Sequence, residues 1–237
     1  MIGLNHREKD NAISCRLVKV IARDVEHAGT EAKAAVSFGH GAQFCAGLDL
    51  AEHVGKTPLE DDRGLRRRHQ AFSRVDFGPT PWFMALRGAL VGGGLELAAS
   101  GHVRIADERA FFALPEVTRG IFVASGGEGR VARLTGTARM PDMMLSGRSI
   151  NAQTAQEWNI LRYVLLTGKA LAQSFELVKK ATSNAELSIH AVINALPRIH
   201  AMARDTSFTA TSPEAEQRLT AFLPKNAGKV IRPDGTA

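Results

Sequence analysis

The pattern of hydrophobic and polar positions changes period along the chain. Apolar residues at helical spacing from Leu17 to Val25 predict a helix over residues 15–27, with Ser14 able to cap its first turn. Short continuous apolar runs predict strands at residues 34–38, 82–86, 103–106, 110–114 and 161–166. Between these strands the spacing predicts helices at residues 64–76, 95–99, 126–134, 141–145 and 152–158, the last capped by Asn151.

From residue 169 the pattern is helical only. It predicts helices at 170–181, at 187–203 with a kink at Pro197, and at 213–223. Strands alternating with helices and then helices alone indicate an α/β core over residues 1–168 and a helical region over 169–237. The polar segment 56–62, which contains Pro58, is expected to be a loop.

Composition bounds the class of protein. With 237 residues, 44% hydrophobic and 23% charged, the chain is typical of a globular protein with one large core or with one domain and an appendage. No apolar stretch is long enough to span a bilayer, and residues 1–11 lack the pattern of a secretory signal. Two cysteines do not suggest a disulfide framework, so we expect a cytoplasmic protein with no membrane association.

The formal net charge of +6 favours an anionic partner, and Arg66, Arg67 and Arg68 form the densest basic run. Aromatic residues make up 6% of the chain and none interleaves with this run, which disfavours a nucleic-acid surface built on base stacking. The run is either a solvated helix face or a contact for the phosphates of a small molecule.

Several common sites are excluded by the sequence. Gly39 and Gly41 begin like a dinucleotide-binding turn, but Phe44 stands where the third glycine is needed. The chain has no Gly-Lys-Ser/Thr sequence, and Ser125 lacks the glycine spacing of a nucleophilic serine. The eight histidines show no metal-binding spacing, so no metal is expected, and Cys45 is interpreted as a structural thiol.

The most informative stretch is residues 89–99, ALVGGGLELAA, in which three glycines lie between the strand predicted at 82–86 and the helix predicted at 95–99. Amides in the first turn of a helix have no partner within it and carry its positive end, so the junction can receive a developing negative charge. Glu96 follows within one turn. A tight turn with a solvated glutamate explains these residues equally well.

Two further features lie on either side of this junction in the sequence. Residues 44–50 form a second glycine turn, and Glu116 follows Pro115 at a predicted strand end. Together with the opening segment 4–14 and the late segment 143–160, this set resembles the crotonase (enoyl-CoA hydratase/isomerase) superfamily. The resemblance covers residues 2–168 well and the helical tail loosely.

The resemblance implies a core of repeated ββα units arranged as a spiral, with a missing or short opening strand, and a C-terminal helical trimerisation region. It implies that the backbone amides of Leu48 and Gly93 form an oxyanion hole. Glu96 would orient and deprotonate water, and Glu116 would deliver a proton to the α-carbon. Acyl-CoA binding is implied for Ala12, Ala46, Leu48, Asp49, Leu50, Gly92, Gly93 and Pro115.

By this resemblance the protein adds water across a 2-enoyl-CoA thioester, or removes it, as a homotrimer or homohexamer. Coenzyme A belongs to the substrate, and no separate cofactor is expected. Isomerases of the family rely on the later glutamate alone, so two glutamates favour hydration. Two alternative functions remain: an enoyl-CoA isomerase or hydratase-lyase of the same superfamily, and a non-catalytic RNA-binding or scaffold relative. Binding of nucleic acid is disfavoured.

Overall fold

The computed structural model describes residues 1–53, 57–119 and 126–195. The strands are β1 (Ile2–Leu4), β2 (Ala35–Gly39), β3 (Trp82–Leu86), β4 (Ala89–Val91), β5 (Val103–Asp107), β6 (Phe111–Ala113), β7 (Ser149–Asn151) and β8 (Tyr163–Leu165). The helices are α1 (Cys15–Glu31), α2 (Pro58–Phe77), α3 (Gly93–Ser100), α4 (Gly127–Thr135), α5 (Arg139–Ser146), α6 (Ala152–Glu157), α7 (Ala170–Thr182) and α8 (Glu186–Ala195).

Five strands form a parallel sheet in the order β1-β2-β3-β5-β8. All five residues of β3, in the middle of this sheet, are buried, as expected for a parallel strand covered on both faces. On one face the sheet packs against the main core with α1 and α2. On the other, a smaller cluster centred on Phe83 and Ile105 packs against α7.

A second sheet positions the candidate site. Its order is β4-β6-β7, with β4 parallel to β6 and β7 antiparallel to it. The chain repeats one unit, in which a strand of the large sheet is followed by a strand of the small sheet and then a helix: β3-β4-α3 and β5-β6-α4. Because Val91 pairs with Ala113, the residues that follow β4 and β6 leave the sheet side by side. The predicted α/β fold with repeated ββα units is therefore confirmed.

Local structure differs from the predictions at three places. Strands β4 and β7 were not predicted, because each has only three residues and depends on a distant partner. The loop predicted over residues 56–62 is wrong from Pro58 onward, since α2 begins there and its first turn is closed by a capping box between Thr57 and Glu60. Proline fits the first helical position, where its missing N–H has no partner to lose. The short opening strand is present as β1.

Helices α7 and α8 follow the sheets, as the helical pattern predicted. The end of the helix predicted over 187–203, its kink at Pro197 and the helix predicted at 213–223 lie outside the described residues. The division of the chain at residue 168 and the trimerisation role of the last helices stay predictions. Within the described ranges no helix is both long and apolar enough to cross a membrane.

Candidate active site

The loop over residues 44–49 lies against strand β4. The Cys45 N–H donates to the Ala89 carbonyl at 3.0 Å, and the Val91 N–H donates to the Cys45 carbonyl at 3.2 Å. This ladder continues the edge of the small sheet and brings the loop alongside the first turn of α3. Gly94 has no room for a side chain, because a Cβ there would overlap the Cys45 carbonyl.

On its other side the same loop pairs with the segment before α1. The Ile13 N–H donates to the Gly47 carbonyl at 2.7 Å, and the Asp49 N–H donates to the Ile13 carbonyl at 3.2 Å. Alternation along an extended chain turns the intervening Leu48 N–H away from Ile13. That amide donates no hydrogen bond to any of the described residues.

Leu48 and Gly93 lie next to each other at this junction. Gly93 is the first residue of α3, so its N–H has no partner within the helix. A Cβ on Gly47, whose φ is +103°, would lie 3.9 Å from the Gly93 nitrogen. A Cβ on Gly93 would lie 3.3 Å from Cδ2 of Leu48. The two donors predicted for an oxyanion hole are therefore neighbours, although 45 residues separate them in sequence.

Glu116 lies at the same junction. The Gly92 N–H donates to the Ala113 carbonyl at 2.9 Å, which holds the end of β6 beside the turn. Pro115 and Glu116 follow, and the Glu116 side chain, 6% exposed, packs directly on Gly92. Gly92 has φ +52°, and a Cβ would overlap Oε1 of Glu116. Only glycine satisfies both the backbone conformation and the contact.

Glu96 lies in the first turn of α3 and is 4% exposed. Its carboxyl group packs against Gly127, the first residue of α4, where a Cβ would lie 2.7 Å from Oε2. The positive end of α4 therefore faces a carboxylate. The alternative of a solvated glutamate after a tight turn is wrong for this residue.

A small cavity of about 20 Å³ collects most of the predicted substrate residues. A volume of this size accommodates one water molecule. Of the predicted residues, its lining includes Ala46, Leu48, Leu50, Gly92, Gly93, Pro115 and Glu116. The lining does not include Ala12, Asp49 or Glu96.

Asp49 and Ala12 do not line the cavity and instead bond to residues that precede α1. A carboxylate oxygen of Asp49 lies 2.6 Å from Nζ of Lys9, and this hydrogen bond lowers the pKa of Asp49. The Ala12 carbonyl accepts a hydrogen bond from Nδ1–H of His6 at 3.2 Å. Both residues thus contact neighbouring protein groups in this structure.

The thiol of Cys45 is fully buried, and burial raises its pKa to about 12. A thiol with such a pKa is protonated at neutral pH and is a poor nucleophile. This supports the interpretation of Cys45 as a structural residue.

Asn11 is a positioning residue that the sequence analysis missed. It is fully buried, has φ +58°, and joins three backbone segments. Its Oδ1 accepts from the His6 N–H at 2.9 Å, and its Nδ2 donates to the carbonyls of His40 at 2.8 Å and Gln43 at 2.9 Å. Asparagine tolerates positive φ, but these partners come together only in the fold.

The three arginines of the basic run do not share one surface. Arg66 and Arg67 are exposed on α2, and Arg66 pairs with Asp62 at 2.7 Å, whereas Arg68 is buried. A contact with phosphates stays a prediction for this run.

Comparison with known proteins identifies the family. The family model for enoyl-CoA hydratase/isomerase matches residues 1–222. The chain is 31% identical to the 2,3-dehydroadipyl-CoA hydratase of Escherichia coli, covering 95% of this chain and 92% of the relative. It is 30% identical to the mevalonyl-coenzyme A hydratase of Aspergillus fumigatus, covering 83% and 73%. A crystal structure of enoyl-CoA hydratase from Bacillus anthracis superposes with a TM-score of 0.86 at 26% identity, covering 94% of this chain and 91% of that one. The chain belongs to the enoyl-CoA hydratase/isomerase family.

Proposed function

We propose that this enzyme adds water across the double bond of a 2-enoyl-CoA thioester, or catalyses the reverse dehydration. The observation that carries the proposal is the junction of two glycine turns, where Leu48, Gly93 and Glu116 line one small cavity and the Glu116 carboxyl group packs on Gly92. The names of two relatives support it, because the proteins from Escherichia coli and Aspergillus fumigatus are named as hydratases of CoA thioesters.

The two amides would bind the thioester oxygen. Hydration at the β-carbon moves negative charge onto that oxygen as an enolate forms. Fixed N–H donors in a site with little water stabilise this charge without reorganising, and one such donor contributes about 10²–10³ in rate. The position of Gly93 at the start of α3 adds the positive end of a helix.

The two glutamates would carry out the two proton transfers of the reaction. Glu96 would take a proton from the attacking water, whose oxygen bonds to the β-carbon. Glu116 would deliver a proton to the α-carbon as the enolate collapses. Net addition of H and OH is then balanced, and each glutamate returns to its starting state when they exchange one proton with solvent. The cavity beside Glu116 has the volume of one water molecule.

One observation favours a second candidate, a shift of the double bond within the acyl chain. Glu116 lines the small cavity and Glu96 does not. An isomerase needs only one group that removes a proton from one carbon and returns it to another. In that case Glu116 would act alone.

Three variants distinguish the two reactions. Purified wild type, Glu96→Gln, Glu116→Gln and the exposed control Glu157→Gln are given crotonyl-CoA and a 3-enoyl-CoA. Loss of the enoyl-thioester absorbance and formation of 3-hydroxyacyl-CoA are followed. For a hydratase, both site variants lose at least about 10²-fold in rate and Glu157→Gln keeps the wild-type rate. For an isomerase, only Glu116→Gln loses activity, and the product is a 2-enoyl-CoA. Full hydratase rates in both site variants would refute the two-glutamate mechanism.

We also propose, on the resemblance alone, that the enzyme is a homotrimer or homohexamer, and, on its cysteine content, that it is cytoplasmic. Light scattering coupled to size-exclusion chromatography measures the mass directly. A monomer at micromolar concentration would contradict this proposal.

A further inference from the structure

A cavity of about 660 Å³ lies at the opposite end of α3 from the candidate active site. It is bordered by the end of α3, the start of β5 and helices α7 and α8. Helix α3 has eight residues, so its two ends are about 12 Å apart along the axis. Ligand pockets in proteins have volumes of about 300–1,000 Å³ and are lined mostly by apolar groups.

One wall of the cavity is apolar. It includes Val103, Leu134, Ile189 and Ile193, which come from β5, α4 and α8. This wall would contact the hydrocarbon part of a ligand.

The other end carries a buried arginine. Arg104 is 9% exposed, and its guanidinium donates from Nε to the Ile160 carbonyl at 2.5 Å and from Nη1 to the Gly101 carbonyl. Carbonyl dipoles satisfy these N–H groups but do not neutralise the charge. Among residues 1–53, 57–119 and 126–195, no carboxylate lies within ion-pair distance of Arg104. Buried charges in proteins are normally paired.

The nearby carboxylate of Asp76 already forms ion pairs with two other arginines. Oδ2 of Asp76 lies 3.0 Å from Nε of Arg130, and its Oδ1 lies 2.8 Å from a terminal nitrogen of Arg133. Asp76, Arg104 and Arg133 all line the cavity. Asp76 therefore pairs with two other arginines, and the charge of Arg104 has no counter-charge of its own within the described part of the chain.

His102 adds a hydrogen-bond donor. Its Nδ1 accepts from the Trp82 N–H at 3.0 Å, so the neutral ring carries its proton on Nε2. Nε2 is buried and makes no close hydrogen bond within the described part of the chain, although the backbone of Asp76 lies near enough to raise the pKa of the ring. Burial, with Arg104 and Arg133 nearby, lowers the pKa of His102 to about 4, although Asp76 opposes the shift. The ring is thus a neutral donor at neutral pH.

We propose that this cavity binds a small amphipathic carboxylate. Its head would lie against the Arg104 guanidinium and Nε2–H of His102, and its hydrocarbon chain would lie along the wall formed by β5, α4 and α8. A carboxylate supplies the missing negative charge and accepts hydrogen bonds from both donors. An ammonium head would place another positive charge beside Arg104, and a neutral head would leave the charge of Arg104 without a counter-charge.

Calorimetric titration of the full chain with octanoate, octylamine and 1-octanol tests the head group. We expect saturable binding of one octanoate per chain, and at least about tenfold weaker binding of the amine and the alcohol. Equal binding of octylamine, or no saturation by octanoate up to about 1 mM, would overturn the proposal. This comparison uses wild-type protein and does not depend on any variant folding.

A pair of variants on α8 tests the location. Ser188 lines the cavity, whereas His190 is exposed two residues later and does not. Ser188→Trp would fill the apolar volume and should weaken octanoate binding at least about tenfold, while His190→Trp should match wild type. Undiminished binding in a folded Ser188→Trp, as expected if octanoate enters the acyl site instead, would refute the assignment. A change of assembly mass caused by Ser188→Trp alone would show that copies of the chain meet here and would also refute it.

Discussion

Replacing Asn11 by alanine should destabilise the protein and disturb the loop that carries Leu48. The change removes three side-chain hydrogen bonds that join residues 6, 40 and 43. Since a net intramolecular hydrogen bond contributes about 1 kcal/mol, these bonds together contribute about 3 kcal/mol. Alanine at φ +58° adds about 1 kcal/mol of left-handed strain. We expect a total loss of about 3–5 kcal/mol in the free energy of unfolding.

Urea unfolding at constant pH, read by circular dichroism, measures this loss. Asn159→Ala is the matched control, because Asn159 has φ +65° but is exposed and makes no side-chain hydrogen bond to the described residues. It should lose only the strain of about 1 kcal/mol. If the two variants lose equal stability, the network around Asn11 does not stabilise the loop. The rate of Asn11→Ala, measured well below its unfolding midpoint, should also fall if the loop positions the Leu48 amide.

Three further predictions concern individual groups. Gly92→Ala should abolish activity, because its Cβ would displace the carboxyl group of Glu116 that packs on Gly92. The control is Gly136→Ala, which is also at positive φ but has open space around it, so this variant should lose stability and keep its catalytic rate. Steady-state kinetics of the two variants checks this. With its pKa near 12, the Cys45 thiol should resist iodoacetamide at about pH 8 until the protein unfolds, while the less buried Cys15 reacts first, as peptide mass spectrometry would show. Burial lowers the pKa of His102 from 6.5 to about 4, so the unfolded chain binds more protons between these values. Stability should therefore fall by up to about 3 kcal/mol as the pH drops through this range, and less in His102→Asn, which urea titrations at about pH 7 and about pH 4.5 would detect.

The regular elements were predictable where one face or both faces of an element are buried. The stripe at Val18, Ile21 and Val25 on α1 and the continuous apolar run of β3 both follow from burial and were visible as periodicity. Strands β4 and β7 were not visible, because three residues are too few to show a period and their pairing depends on β6. Pro58 misled the prediction because the same residue marks a loop or the first position of a helix.

The candidate site was predictable as a set of motifs but not as a geometry. Glycines at 47 and 92–94 and the two glutamates carry the resemblance, and the structure places Leu48, Gly93 and Glu116 around one small cavity. Asn11 and Arg104 were missed for a shared reason. Asn11 bonds to residues up to 32 positions away and Arg104 to a carbonyl 56 positions away, so no local pattern contains these contacts.

The proximity of the two amides depends on backbone pairing rather than on side chains. Cys45 pairs with Leu90, and Ile13 pairs with Leu48, so the loop carrying Leu48 is held on both edges by main-chain hydrogen bonds. Such bonds do not change when most side chains are replaced. Glycine is the exception, because a Cβ at Gly94 would overlap the Cys45 carbonyl and separate the loop from α3. Specificity for an acyl group can therefore vary through the surrounding side chains, while the pair of donors requires the glycines that let the two backbones touch.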